Sequence, residues 1–430
     1  MCIRDRSGAA ALRWRTASVL SGLVVLGLAL AGRVAWHNVR GEEPLPPSPV
    51  AVAADAATIA RGAYLARAGN CTGCHTARGG AEYAGGRGIE TPFGTVYASN
   101  LTPDAGTGLG RWSAAEFWRA LHHGRSKDGR LLYPAFPYPE FTLVTRADSD
   151  ALYAYLRSLP PVRQEARAHE LRFPYGLQAS LAVWRALYFR PARFEPEPQR
   201  SADWNRGSYL VRGLGHCVAC HSGRNVLGAT AGGPELGGGL IPMQDWYAPP
   251  LAAPSGGGDA WAAEVVALLK DGRGAHGSAM GPMAEVVYRS TRHLTEDDLR
   301  GMAAYLGTLP PAAAPEPAEP ADPEVLRLGR KLYGAQCASC HGERGEGQPG
   351  RYPALAGNRA VTLASPNNLI KVVLHGGFAP ATAAHPRPFG MPPFAQSLGD
   401  AEIAAVATHV RQSWGNAAPA VSPADVIHAR

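Results

Sequence analysis

Between Ala17 and Ala31 the chain is almost wholly apolar, with Arg13 and Arg15 ahead of the run and Gly32 and Arg33 after it. A basic stretch leading into an apolar run is the pattern of an export signal. The run is short of the roughly 20 residues that a spanning helix needs, but carrying it through Val34 to Trp36 supplies the length. Arg33 then snorkels its charge towards water. The expectation is an uncleaved anchor over about residues 13–36, with the bulk of the chain outside the cytoplasm. A cleaved signal is the alternative. The first seven residues, MCIRDRS, fit nothing downstream and read as translated adaptor sequence, so Cys2 carries no weight.

Beyond residue 50 one pattern recurs three times. RGAYLARAGNCTGCH (61–75) matches RGSYLVRGLGHCVACH (206–221), and LGRKLYGAQCASCH (328–341) is a looser third copy. In each, an apolar and tyrosine face at helical spacing leads into a cysteine loop. Downstream lie three further helical stretches, ALYAYLRSLPP (151–161), GMAAYLGTLPP (301–311) and AEIAAVATHVRQSW (401–414). Each repeat thus predicts a helix, a loop and a closing helix that crosses the first. The expected organisation is an N-terminal segment 1–45, a first domain 53–170, a connecting helix 171–200, a second domain 201–311, a Pro/Ala linker 312–322, a third domain 323–416 and a tail 417–430.

Within the connector, GLQASLAVWRALYFRPARF (176–194) sets Leu177, Leu181, Trp184 and Tyr188 at helical spacing, with Arg185, Arg190 and Arg193 nearby. Such a stripe suits a helix lying on a membrane surface. It suits equally a helix packed between domains.

Composition adds bounds. The 430 residues are 46% hydrophobic and 18% charged, which describes a folded chain of several domains. Glycine at 51 and proline at 37 point to loop-rich domains. A formal charge of +7 is modest for this length and reads as ordinary solvated Lys and Arg, or as a basic face for an acidic protein or anionic lipid. No nucleic-acid motif accompanies it.

Six cysteines remain once Cys2 is set aside, in three pairs each followed at once by histidine: Cys71, Cys74, His75; Cys217, Cys220, His221; Cys337, Cys340, His341. Cys-x-x-Cys-His is the attachment signature of c-type haem, both thiols binding the porphyrin covalently and the histidine serving as proximal iron ligand. Zinc would need further ligands at short spacing, and disulfides would leave three histidines unexplained. The fold class expected is mainly α: three tandem cytochrome c domains behind an N-terminal membrane anchor, carrying three covalent haems.

The sixth ligand differs from copy to copy. FGMPPF supplies Met391 in the third domain. SAMGPMAEVV offers Met280 and Met283 in the second, and Met283 suits the repeat better. Met302 lies on the closing helix and reads as core, and Met243 as a loop residue. The first domain has no methionine. Met283 follows His221 by 62 residues and Phe136 follows His75 by 61, so Phe136 stands at the thioether position. His122 and His123 are candidate replacements, although the HHG in which they lie looks like a helix C-terminus, where histidine has an electrostatic reason of its own.

With these residues on the page, the sequence resembles the three-haem cytochrome c subunits of membrane-bound periplasmic dehydrogenases. The resemblance runs from about Ala53 to Asn416 and rests on TPFGTVYASNLTPD, GRW, LYPAFPY, WNRGSYLVRGLGHCVACHSGRNVLG, HLTEDDL and MPPFAQSLGDAEIAAVATHVRQSWGN. It implies an electron-transfer subunit on the periplasmic side of the cell inner membrane. A catalytic dehydrogenase subunit would be the donor, and ubiquinone or another respiratory acceptor the sink. Relatives serving quinoprotein or flavin-dependent dehydrogenases usually carry methionine in the phrase that here reads YPAFPY. The phenylalanine version resembles cytochromes accompanying molybdenum hydroxylases, which often place histidine near the position of Glu140. The chain itself shows no nucleophile, nucleotide loop or acid–base pair, so it is not expected to be a dehydrogenase. A peroxidase-like haem enzyme with an open iron position in the first domain is the alternative from another class.

Overall fold

The computed structural model describes residues 7–46, 48, 52–230, 233–253, 257–311 and 318–430, residues 7–17 as backbone only. The adaptor-like MCIRDR and residues 312–317 of the linker lie outside the described residues. Helices of seven or more residues are α1 (Ser7–Val39), α2 (Ala56–Ala68), α3 (Ala114–His123), α4 (Arg146–Ser158), α5 (Gln178–Tyr188), α6 (Ala202–Ser208), α7 (Asp259–Asp271), α8 (Pro282–Arg289), α9 (Glu296–Leu306), α10 (Pro323–Gln336), α11 (Asn367–His375), α12 (Asp400–Arg411) and α13 (Pro423–Ala429). Among the described residues, strands form only small antiparallel pairings: Gly88–Thr91 with Gly94–Tyr97, which also pairs with Glu170–Leu171, Gly239–Ile241 with Trp246–Ala248, and Gly377–Phe378 with Gly390–Met391.

Three helix pairs cross in the same way: α2 with α4, α6 with α9, and α10 with α12. Each crossing is closed over one glycine. A Cβ on Gly62 would sit 1.9 Å from the Ala151 carbonyl oxygen, one on Gly207 1.8 Å from that of Gly301, and one on Gly329 2.2 Å from that of Ala405. No side chain fits there, so the repeated glycine sets how closely the backbones approach.

In the second copy Cys217 follows Gly207 by ten residues, whereas in the first Cys71 follows Gly62 by nine. The extra residue is absorbed by a π-helical turn, Tyr209–Leu214, in which the Gly215 N–H reaches back to Leu210 O at 2.6 Å. Single-residue insertions into helices are commonly taken up this way.

The first two helix pairs share one apolar core, running from Leu65, Leu152 and Leu156 to Leu210, Leu214, Leu299 and Leu306. The third pair has its own, around Ile370, Leu374 and Ile403. The sequence reading of 417–430 as a tail needs correction. α13 lies in that segment, starts on a Ser422 capping box with Pro423 at its first position, and buries Val426 completely against the third core. Its apolar positions are too few to stand out as a periodic run.

Helix α1 is longer than the apolar run that announced it. Ser18–Val39 averages a hydropathy of 1.9 and is exposed over most of its length, which fits an export signal or an anchor. Its last turn docks on α5: the Asn38 Nδ2 donates to Ala182 O at 2.9 Å, and Arg185 Nε donates to Asn38 Oδ1 at 2.9 Å. Helix α5 is also shorter than 176–194, since the chain becomes extended at Phe189, shortly before Pro191. One face of α5 (Leu181, Arg185, Ala186) is buried and the other (Val183, Leu187) is exposed, so the packing role is present and leaves a second face free.

Candidate haem-binding sites

Each Cys-x-x-Cys-His segment follows the first helix of its pair and coils into a single turn. The histidine N–H closes it onto the first cysteine carbonyl, at 2.9 Å for His75 and His221 and 3.0 Å for His341. That turn presents both thiols and the imidazole to one side.

The three imidazoles are held identically. Nδ1 of His75 donates to Ser99 O at 2.7 Å, that of His221 to Pro249 O at 2.7 Å, and that of His341 to Pro353 O at 3.0 Å. Burial lowers the pKa of all three rings, so the imidazoles are neutral near pH 7. A neutral ring with its proton held on Nδ1 leaves the Nε2 lone pair free, the tautomer of a metal-ligating histidine.

A glycine completes each arrangement. Gly85, Gly238 and Gly347, all at positive φ, donate their N–H to the carbonyls of His75, His221 and His341 at 2.8 Å. They pack on the peptides that carry or follow the carbonyl acceptors. A Cβ on Gly85 would lie 2.5 Å from Ser99 C, one on Gly238 3.0 Å from Pro250 N, and one on Gly347 2.6 Å from Ala354 N. These glycines and carbonyls were not found from the sequence. The glycines follow their histidines by 10, 17 and 6 residues, so no fixed spacing marks them.

All six cysteines of the three motifs are unpaired. Burial pushes the thiols of Cys71 and Cys217 up to about 12 and that of Cys337 up to about 11. Such apolar surroundings disfavour the thiolates that zinc would need. Among the described residues no three His, Cys, Asp or Glu side chains gather as a metal cluster.

The second and third motifs open into one continuous cavity of about 1450 Å³. That exceeds the roughly 300–1,000 Å³ of ordinary small-molecule pockets. Its wall includes Cys217, Cys220, His221, Cys337, Cys340 and His341 together with Met280, Met283, Met302 and Met391, in otherwise mostly apolar surroundings. Met302 is also 4% exposed within the core, as its helical position implied. Met243 lies outside this wall, in the tight turn of Gly239–Ala248, at 55% exposure. Paired thiols, a free imidazole nitrogen, a thioether and a large apolar void together fit a covalently held, axially ligated haem.

In the first copy, the loop after α3 repeats the geometry of the loop after α7. The Leu132 N–H donates to Gly124 O at 2.8 Å, and the Ala279 N–H donates to Gly272 O at 2.8 Å. Phe136 lies four residues after the first donor and Met283 four after the second, which supports the register read from the sequence. Phe136 rests on Phe141, ring centroids 5.4 Å apart. His122 and His123 end α3 and are buried. His122 stacks on Trp118 at 4.3 Å, and His123 lies among Arg185, Arg125 and Arg119. Burial, aided by neighbouring positive charge, pushes both down to about 4, so both are neutral. Glu140 is 9% exposed, and burial pushes its carboxyl up to about 7. Arg87 joins two copies, donating to Gly73 O in the first haem loop and pairing with Glu285 of α8 at 2.6 Å.

A cytochrome c family model matches residues 59–160 and 326–414. The chain is 40% identical over 398 residues to the cytochrome c subunit of a quinone alcohol dehydrogenase from Gluconacetobacter polyoxogenes, covering 88% of this chain and 85% of that one. It is 36% identical to the cytochrome c subunit of gluconate 2-dehydrogenase from Pantoea cypripedii, over 88% of this chain and 90% of that one. The chain belongs to the cytochrome c subunits of dehydrogenase complexes. It is also 44% identical over 401 residues to a subunit of nicotinate dehydrogenase from Pseudomonas putida, a longer protein of which this chain spans 33%. As a cytochrome c subunit, the chain is an electron-transfer protein that carries covalently bound haem c.

Proposed function

We propose that this cytochrome c subunit carries three covalent haems in three cytochrome c domains and relays electrons from a partner dehydrogenase to ubiquinone or another respiratory acceptor. The observation that carries the proposal is the threefold repetition of one geometry: a Cys-x-x-Cys turn, a histidine tied through Nδ1 to a carbonyl, and a positive-φ glycine beneath it. When bound, each haem supplies a one-electron iron centre whose potential is set by its axial ligand and burial.

The chain's part is to hold and tune those centres. Cys71 and Cys74, Cys217 and Cys220, and Cys337 and Cys340 would attach the porphyrins, and His75, His221 and His341 would hold the iron through Nε2. Met283 in the second domain and Met391 in the third would hold their haem irons through thioethers, which would raise the potentials there. Phe136 offers no donor in the first. Its sixth position is therefore left without an assigned loop side chain, with His122, whose buried Nδ1 has no partner, and His123 as the candidate donors. The arrangement around Phe136, mainly aromatic and proline, provides little of the distal polarity that peroxide activation uses, which favours the relay over a peroxidase.

The donor is a molybdenum hydroxylase, a quinoprotein or a flavoprotein. The phenylalanine at 136, shared with the cytochromes that the sequence resembles in that class, favours the first. The apolar, mostly exposed α1 supports an anchor in the cell inner membrane with the haem domains on the periplasmic side.

The test is the mass of the exported, purified chain. Three haems beyond the polypeptide mass, retained after denaturation, are expected. Two or fewer would overturn the three-haem assignment, and the genes adjoining this one would identify the donor class.

A further inference from the structure

The free face of α5 does not end with the helix. Phe173 is 85% exposed just ahead of it, and Val226, in the loop after the second haem motif, is 92% exposed. Tyr175, Val183, Leu187 and Leu227 are exposed between and beside them. The two segments are joined: the Trp184 indole N–H donates to Leu227 O at 2.9 Å, and Tyr175 packs on Phe93, whose ring faces Gly228. One apolar surface thus spans the first and second repeat units.

Two observations say what covers it. The surface is continuous with the foot of α1, which is clamped onto α5 through Asn38, Ala182 and Arg185 at the point where the apolar helix ends. Within its two segments the charged side chains are all arginine, one of which, Arg193, pairs with Glu43 at the foot of α1. No Asp or Glu occurs between Glu170 and Glu195, nor between His221 and Thr230. Exposed Arg172, Arg190 and Arg224 direct their hydrogen bonds to backbone carbonyls, which leaves their positive charge available to an outside partner. Aromatic and aliphatic side chains rimmed by arginine beside a membrane helix are the composition of an interfacial contact with anionic lipid.

We infer that this surface, Phe173 to Leu187 with the 224–228 loop, lies in the headgroup region of an anionic bilayer. The body of the protein is then laid on the membrane by two of its units, not merely tethered by α1. The inference rests on the reading of α1 as an anchor.

Nitroxide labels on full-length, haem-loaded protein test it, in a background where Cys2 is serine and in liposomes of phosphatidylcholine and phosphatidylglycerol. Labels go singly on F173C, V226C, L26C within α1, and R327C, an exposed site on α10. The ratio of oxygen to nickel-complex accessibility is expected to be several-fold higher at 173 and 226 than at 327, approaching that at 26. Ratios at 173 and 226 equal to that at 327, with a lipid-like value at 26, overturn the surface contact and leave the anchor standing. A water-like value at 26 overturns both. Protection at 173 and 226 that requires added dehydrogenase subunit assigns the surface to that protein and overturns the lipid contact.

Discussion

The Tyr64 hydroxyl donates to Asp298 at 2.6 Å, across the boundary between the first and second repeat units. The Tyr209 hydroxyl returns the exchange, donating to Asp148 at 2.6 Å. Each aspartate also pairs with an arginine of its own unit, Asp148 with Arg61 at 2.5 Å and Asp298 with Arg206 at 2.8 Å. The two units are thus locked by a reciprocal swap drawn from the repeated Arg-Gly-x-Tyr. Burial alone would raise the Asp298 carboxyl, but its bonds from Arg206 and Tyr64 hold it below the ordinary value. The third copy has Leu328 and Lys331 at the corresponding places. It joins the second unit by other means, such as the paired bonds of Asn368 with the Tyr247 backbone at 2.8 and 2.7 Å.

Phenylalanine in place of Tyr64 or Tyr209 removes a hydrogen bond to a charged, poorly solvated acceptor. A loss of about 1.5–3 kcal/mol is expected for each. Thermal unfolding should show it as a lower midpoint with the haem content unchanged.

The glycine at each helix crossing should tolerate no side chain. Gly62→Ala, Gly207→Ala and Gly329→Ala each set a methyl about two ångströms from a facing carbonyl, where backbone, not a flexible side chain, must yield. Overpacking typically costs about 1–3 kcal/mol, and a backbone obstacle places these at or above the upper end. Differential scanning calorimetry of the three variants should show the destabilisation. Gly334→Ala, on α10 with open space around its Cβ, should be neutral or stabilising.

Removing the thioether should lower the potential of one centre at a time. Met391→Ala and Met283→Ala are each expected to shift a single wave to lower potential in a redox titration and to yield a high-spin signal by electron paramagnetic resonance. Met280→Leu is expected to leave three unshifted waves. A shift with Met280→Leu and none with Met283→Ala would exchange their assignments.

Glu140 should make the protein less stable as pH rises. Its folded carboxyl titrates at about 7, above its ordinary 4.5, so the folded chain binds that proton more tightly than the unfolded one. The contribution is complete below about pH 4.5 and is lost as pH climbs through 7. Glu140→Gln should therefore flatten the pH dependence and gain on the order of 3 kcal/mol over the parent at alkaline pH. Chemical denaturation at about pH 5 and pH 8 checks the sign.

Much of the site was legible early because its chemistry is local. Two thiols and an imidazole within five residues form one turn wherever the chain places them, so Cys217, Cys220 and His221 declare themselves without a fold. Phe136 was legible by counting, because the loop after α3 keeps the length of the loop after α7. Helix α13 was not, since its burial depends on α11 and α12 offering it a surface.

What the residues alone determined is the inventory: three Cys-x-x-Cys-His segments, two methionines in the loops that follow two of them, a phenylalanine in the matching loop of the first, and an apolar helix ahead of them. Only the tertiary structure decided which carbonyls, Ser99, Pro249 and Pro353, orient the imidazoles. It also decided that Tyr64 serves the neighbouring unit's aspartate, and that the second and third motifs open into one cavity. Those outcomes depend on groups brought together by packing from 12 to 234 residues apart. Residue order along the chain carries no marker for such pairings, because the same side chains could be satisfied by many partners and close packing selects one.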